Sequence, residues 1–254
     1  MFGVTQLRDV VYVVTSRSSG IRRYNATTHR RLADIDVTGL GYPGDIAACE
    51  LTSRLYVVDD KEWCVWRVSF DGVDMQRWLT WSPSDRFIPC TLSVTSSRLL
   101  VSSRHTDSQL RQFDAAGGDE LRRVGLPYRM ISYHAVESPT ETFIVAHSNE
   151  LKISEVSTEG QVLRQFSGSS LLLPAHIAVD RQGNIFVADR GNGSILLLDA
   201  QLSLRRVIIN KHQLNGRWPE RLCYTDQSGQ LLVGFTAGRV TLCCGVAVFD
   251  VLRR

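Results

Sequence analysis

Ile185-Phe186-Val187-Ala188-Asp189 is a short apolar run closed by an aspartate, and five other stretches repeat its outline. They are Val11-Tyr12-Val13-Val14, Leu55-Tyr56-Val57-Val58, Leu99-Leu100-Val101-Ser102, Phe143-Ile144-Val145-Ala146 and Leu231-Leu232-Val233-Gly234. The valines at 13, 57, 101, 145, 187 and 233 follow one another at intervals of 44, 44, 44, 42 and 46 residues. A period of this size marks stacked supersecondary units, because one unit alone cannot bury its apolar face.

A second register runs in step with the first. After each run comes a short polar loop and then a segment such as Val65-Trp66-Arg67-Val68-Ser69, Ile153-Ser154-Glu155-Val156-Ser157 or Ile195-Leu196-Leu197-Leu198-Asp199. These are rich in β-branched and aromatic residues and bounded by turn formers, so they predict strands. Turns such as Asp71-Gly72 and Glu159-Gly160 lead on to outer strands, for example Gln161-Val162-Leu163-Arg164-Gln165-Phe166. Each unit is therefore four short antiparallel strands, which is the content of a propeller blade. No helical periodicity competes. The reading is an all-β, six-bladed propeller forming one domain over residues 1–254, with Met1 to Leu7 as the first inner strand.

The sixth unit breaks the rhythm. About five extra residues around Thr241-Leu242-Cys243-Cys244 lengthen its second-to-third strand connection, and Arg254 comes before any outer strand. Two arrangements satisfy this: a last blade of three strands, which is preferred, or an outer strand supplied from elsewhere.

Pro174-Ala175-His176-Ile177-Ala178-Val179-Asp180, Gly183-Asn184-Ile185-Phe186-Val187-Ala188-Asp189 and Ile195-Leu196-Leu197-Leu198-Asp199 together resemble an NHL repeat. Pro43-Gly44-Asp45-Ile46-Ala47 through Tyr56-Val57-Val58-Asp59 resembles one more weakly, and the other units keep only the apolar skeleton. In that family such propellers follow RING, B-box and coiled-coil regions of ubiquitin ligases. None of those is present here, so the resemblance implies a detached recognition module for a protein or peptide, without catalysis.

Composition excludes little else. Apolar residues make up 43% and charged residues 22%, with a net charge of +3 from 29 basic and 26 acidic residues. This is ordinary globular balance, pointing to neither nucleic acid nor membrane. No run reaches the length of a spanning helix and no signal peptide is legible, so a monomer with reduced cysteines in the cytosol is expected. Cys49, Cys90 and Cys223 fall on or beside inner strands as small packing residues, whereas Cys243-Cys244 fall in the lengthened loop as the reactive pair, if any is.

The first residues of the inner strands form the candidate ring at a channel mouth: Gly3, Asp45, Thr91, His134, His176 and Arg221. Prolines stand two residues earlier in four blades (Pro43, Pro89, Pro174, Pro219), where a ladder donor is dispensable. The second-to-third strand loops add Arg17, Trp63, Arg104, Arg190 and Asn192 to the binding face. The plainest account of the polar ring is a hydrated channel, and a lone Trp on a loop is more often a packing residue than a ligand contact.

Two alternatives stand beside the protein-binding reading. His134 and His176 occupy matching positions on neighbouring blades, with Asp45 also in the ring, an arrangement that resembles the axial zinc site of peptidyl-amidating lyases and implies a metal-dependent hydrolase or lyase. The third histidine of that family is missing, and Thr91, Arg221 or Gly3 stands where it is needed. The glutamate of gluconolactonase-like propellers is absent too. RNA is the other alternative, since some NHL propellers bind it on a basic face; here the loop surplus is four positive charges, with Trp63 and His105 available for stacking. The arginine pairs Arg22-Arg23, Arg30-Arg31, Arg122-Arg123 and Arg205-Arg206 protect open strand edges. Asp59 and Asp189 close hairpins by accepting backbone N–H groups, a role that Thr15, Ser103 and His147 preserve and Phe235 does not.

Overall fold

In the computed structural model the chain is an all-β, six-bladed β-propeller, with four strands in each of the first five blades and three in the last. All residues are described except 1, 17, 104–107, 128–129, 131, 148, 237–244 and 252–254. No α-helix occurs among them, and a single 3-10 turn covers Pro83–Asp85. The strands fall into two compact units, Met1–Arg129 and Met130–Arg254, each holding three blades.

The first unit contains β1 (Phe2–Leu7), β2 (Val10–Thr15), β3 (Gly20–Asn25) and β4 (Ile35–Asp36) as blade 1. Blade 2 is β5 (Pro43–Cys49), β6 (Arg54–Asp59), β7 (Cys64–Ser69) and β8 (Met75–Thr80), and blade 3 is β9 (Pro89–Thr95), β10 (Arg98–Ser103), β11 (Gln109–Asp114) and β12 (Glu120–Gly125). In the second unit, blade 4 is β13 (Ser132–Glu137), β14 (Phe143–His147), β15 (Ile153–Val156) and β16 (Val162–Phe166). Blade 5 is β17 (Pro174–Val179), β18 (Ile185–Asp189), β19 (Ser194–Leu198) and β20 (Leu204–Ile209), and blade 6 is β21 (Trp218–Thr225), β22 (Gln230–Thr236) and β23 (Gly245–Asp250). Every blade is an antiparallel meander in sequence order.

The apolar second strands are continuous runs because both of their faces are buried. Along β6, Leu55 and Val57 pack against blade 1 with Leu7, Tyr12 and Ile21, whereas Tyr56 and Val58 pack against blade 3 with Leu99, Val101 and Phe113. In β18, Ile185 and Val187 face blade 4 while Phe186 and Ala188 face blade 6. The period-2 alternation thus divides one strand between two cores. Buried tyrosines reinforce the first unit: Tyr12 donates its hydroxyl to the Phe70 carbonyl on blade 2 at 2.9 Å, and Tyr56, one repeat later, donates to the Ala115 carbonyl on blade 3.

The inner strands begin as their prolines suggest. Pro43, Pro89 and Pro174 open β5, β9 and β17, and Pro219 is the second residue of β21. In blades 2, 5 and 6 the ladder shifts register between the proline and the ring residue (Pro43/Asp45, Pro174/His176, Pro219/Arg221), and blade 4 shifts in the same way between Ser132 and His134. Such bulges re-aim a side chain. Blade 6 has three strands, as preferred from the sequence; its lengthened loop with Cys243-Cys244 lies outside the described residues.

Candidate functional site

Asp45, Thr91, His134, His176 and Arg221 are all buried at the starts of their strands. Several are tied to the neighbouring blade in one repeated way. Within the first unit, Asp45 Oδ2 accepts the Leu92 N–H at 3.1 Å. In the second unit, His134 Nδ1 accepts the Ile177 N–H at 3.4 Å and His176 Nδ1 accepts the Leu222 N–H at 3.3 Å. In each case the donor directly follows the ring residue of the next blade (Thr91, His176, Arg221). Gly3 completes the series in reverse: a Cβ there would lie 2.6 Å from the Ile46 nitrogen and 2.9 Å from Asp45 Oδ1. Blade 2 approaches blade 1 too closely for any side chain at that position. These polar side chains act as staples between blades, a role that strand periodicity alone does not disclose.

That geometry bears directly on zinc. The two rings stack with centroids 3.5 Å apart and planes 22° from parallel. Imidazole donates to a metal along its ring plane, at about 2.0–2.1 Å. Face-to-face rings direct their lone pairs side by side, so an ion between them would sit well out of both planes. Moreover, the Nδ1 of each ring is directed at a backbone N–H of the next blade. Zinc held through either Nδ1 would displace one of these two blade-to-blade hydrogen bonds. Added zinc is therefore expected to leave the thermal midpoint of the protein at neutral pH unchanged; one-to-one uptake by calorimetry, abolished in His176→Ala, would contradict this.

The loop positions separate into engaged and presented groups. Asp59 and Asp189 close their hairpins as anticipated. Asp59 accepts from the backbone of Gly41, Tyr42, Lys61 and Glu62 at 2.6–3.2 Å, and Asp189 from Leu172 and Leu173 at 3.1 and 2.7 Å. Asn192 belongs to the same network, donating to Asp189 Oδ2 at 2.6 Å and to the Ser170 carbonyl at 3.2 Å. Arg190 is held by Glu220 at 2.9 Å and lies over the Trp218 ring. Glu220, which the sequence did not single out, is a buried carboxylate that also accepts from Thr236 Oγ1 at 3.2 Å. Its signal was a charged residue inside an inner strand, directly after Pro219. Among the basic loop residues counted toward an RNA surface, Lys61 and Lys152 also meet local acids, Glu62 at 4.0 Å and Glu150 at 3.2 Å. Arg17, Arg104 and His105 lie outside the described residues.

His147 departs from the anticipated role. It is fully buried at the site that Asp59 and Asp189 occupy in blades 2 and 5, but among the described residues neither of its ring nitrogens has a hydrogen-bond partner. Burial pushes its pKa down from 6.5 to about 4. Cys64 is buried as well, and its thiol is pushed up to about 11, so it is inert as a nucleophile at neutral pH.

Trp63 is presented differently. It is half-buried, with a left-handed backbone at φ 47°. The matching place, four residues after the hairpin-closing side chain, is also left-handed in blades 4 and 5, at Leu151 (φ 54°) and Gly193 (φ 60°). Glycine satisfies this turn without strain, whereas an L-residue there costs roughly 1–2 kcal/mol. Tyr42, 41% exposed, stands on the adjoining loop, whose carbonyl accepts the Asp60 N–H at 3.0 Å. The Trp63 carbonyl in turn accepts the Trp81 N–H at 3.0 Å.

No protein-family model and no curated protein matches this chain. Solved structures do. A protein of unknown function from Bacteroides caccae aligns over 90% of this chain and 83% of its own, with a TM-score of 0.73 and 15% identity. A chain of a nidogen/laminin complex aligns over 84% and 81% (TM-score 0.68, 15% identity), and one of the Kuenenia stuttgartiensis hydrazine synthase over 98% and 95% (TM-score 0.65, 11% identity). The fold is a six-bladed propeller. At such identities the likeness carries nothing beyond the fold. No helix among the described residues is long and apolar enough to cross a membrane.

Proposed function

We propose that this chain is a non-enzymatic binding scaffold, an NHL-type propeller that recognises a protein or peptide through the loops of blade 2, with Trp63 as the anchor. The observation that carries this reading is Trp63 itself. An indole occupies a turn position where glycine would be cheaper, on a loop beside an exposed tyrosine. Aromatic anchors of this kind dominate protein interfaces, because they present a large apolar area with few torsions to order. The staple role of Asp45, His134 and His176 supports the same reading by giving the ring residues a structural task. Lys61, Lys152 and Arg190 each stand beside a carboxylate that would compete with phosphate for them.

Trp63→Gly separates anchoring from packing. A tryptophan that packs a core costs about 3–5 kcal/mol on truncation, whereas here relief of the turn offsets the lost contacts. The variant is expected to unfold within about 1 kcal/mol of the parent in urea, yet to lose partners captured by the parent from cell extract by at least about tenfold. Equal capture by both proteins would overturn the proposal, and so would a destabilisation of several kcal/mol.

A further inference from the structure

Residues 81–88 lie between β8 and β9, outside the strands. Ser82, Pro83, Ser84, Asp85 and Arg86 in this loop are all exposed. Proline restricts the residue before it to extended backbone, and Ser82 stands at φ −93° and ψ 160°. That is the form in which a kinase cleft takes a substrate chain. The Ser82 hydroxyl donates to Asp85 Oδ2 at 3.1 Å and lies 2.5 Å from Ser84 Oγ. The other Ser-Pro pair, Ser138-Pro139, differs. Ser138 is buried, and its side-chain oxygen accepts the N–H groups of Thr140 and Thr142, both at 3.3 Å.

Guanidinium groups flank the same loop, within the first unit. Arg111 of β11 is 5% exposed, and its guanidinium carbon lies 4.3 Å from the Phe87 ring centroid. Its Nε is buried and has no hydrogen-bond partner among the described residues. Its terminal nitrogens make long contacts, to Gln109 at 3.5 Å and Glu120 at 3.9 Å. Arg123 stands directly opposite on β12, and like charges so placed repel unless an anion is shared. Glu120 is that anion, but it is bound chiefly to Arg123, at 2.8 and 3.1 Å. Asp85 also feels both arginines: its carboxyl is held below the ordinary value, first by the Ser82 N–H and hydroxyl and then by Arg111 and Arg123. Around the loop, Arg86, Arg111 and Arg123 therefore stand against Asp85 and Glu120.

We infer that Ser82 is a phosphorylation site whose phosphate docks on Arg111 and Arg123. In the modification the serine oxygen attacks the terminal phosphorus of ATP, its proton passes to the carboxylate base of a protein kinase, and the bond to ADP breaks. The product carries a charge of about −1.5 to −2 and three acceptor oxygens. It therefore replaces Asp85 as the anion facing the two arginines, and it gives the buried Nε of Arg111 an acceptor. Trp81, the residue before Ser82, donates its N–H to the Trp63 carbonyl at 3.0 Å, so the phosphate also sets negative charge beside the turn that carries the proposed anchor. This last consequence rests on the binding reading of Trp63; the phosphorylation site does not.

Incubation of the intact chain with a purified proline-directed kinase and ATP is expected to add one phosphate, located on Ser82 by fragmentation and absent from Ser82→Ala. Phosphorus NMR then reads the docking. A free phosphoserine has a second pKa of about 6, and the docked group is expected to titrate at least about one unit lower. Arg111→Gln and Arg123→Gln are each expected to raise that value back toward the free one. Should Arg111→Gln fail to fold, Arg123→Gln, at a side chain 54% exposed, decides alone. Several results would overturn the inference: phosphate on Ser84 instead, no phosphate under conditions that modify a synthetic peptide of residues 78–90, or a titration in the parent like that of free phosphoserine. A lowered value that neither substitution moves would also overturn it.

Discussion

Asp59→Ala is expected to destabilise the protein by about 3–5 kcal/mol, lowering its thermal midpoint by roughly 8–15 °C. The Asp59 side chain is fully buried, and its two oxygens accept four backbone N–H groups. Two come from Gly41 and Tyr42 on the approach to β5, and two from Lys61 and Glu62 in the turn toward β7. One carboxylate therefore joins three segments of blade 2. Removing it leaves all four donors without their acceptor and unties the two loops that carry them from the buried end of β6. Asp59→Asn discriminates between charge and shape. Its carbonyl oxygen at the Oδ1 place keeps the bonds from Tyr42, Lys61 and Glu62, and only the Gly41 N–H faces an NH₂ donor, so the Asn variant should recover most of the loss. Urea denaturation of the three proteins checks this, and a change below about 1 kcal/mol in Asp59→Ala would contradict the account.

His147 should make stability depend on pH in mildly acidic solution. The folded pKa of about 4 lies below the ordinary 6.5, because burial penalises the imidazolium; the carboxylate of Glu150 opposes the shift and the ammonium of Lys152 adds to it. Unfolding therefore takes up a proton between these two values. The contribution is full above about pH 6.5 and is lost progressively as the pH falls toward 4, to a total of about 3 kcal/mol. His147→Phe removes the titration while filling a similar volume, and Phe235 occupies the matching site of blade 6. The difference in stability between pH 7 and pH 4.5 should shrink by about 2–3 kcal/mol in the variant relative to the parent. Parallel pH profiles for the two proteins would show that His147 is not the titrating group.

The two results contrast one repeat position. Asp59, Asp189, His147 and Phe235 align in the sequence, and a carboxylate at the end of a strand was readable as a hairpin closure. That His147 lacks such partners among the described residues was not readable, because hydrogen-bond capacity is a property of a side chain and its use depends on what packs around it. The ring residues show the same limit. Their alignment at the strand starts was legible from the prolines, while their engagement with Leu92, Ile177 and Leu222 was not. Trp63 was visible as an aromatic on a loop; its left-handed backbone, the fact that makes it informative, was not.

The count of blades and the places of their strands follow from the chain's own pattern. Hairpins join neighbours in sequence, and alternation of side chains encodes two buried faces strand by strand. What joins residues about 45 positions apart has no such local code. The stacking of His134 on His176 and the close approach at Gly3 arise from the spacing and twist between sheets. A displacement of an ångström or two, invisible in composition or periodicity, makes or breaks each of them.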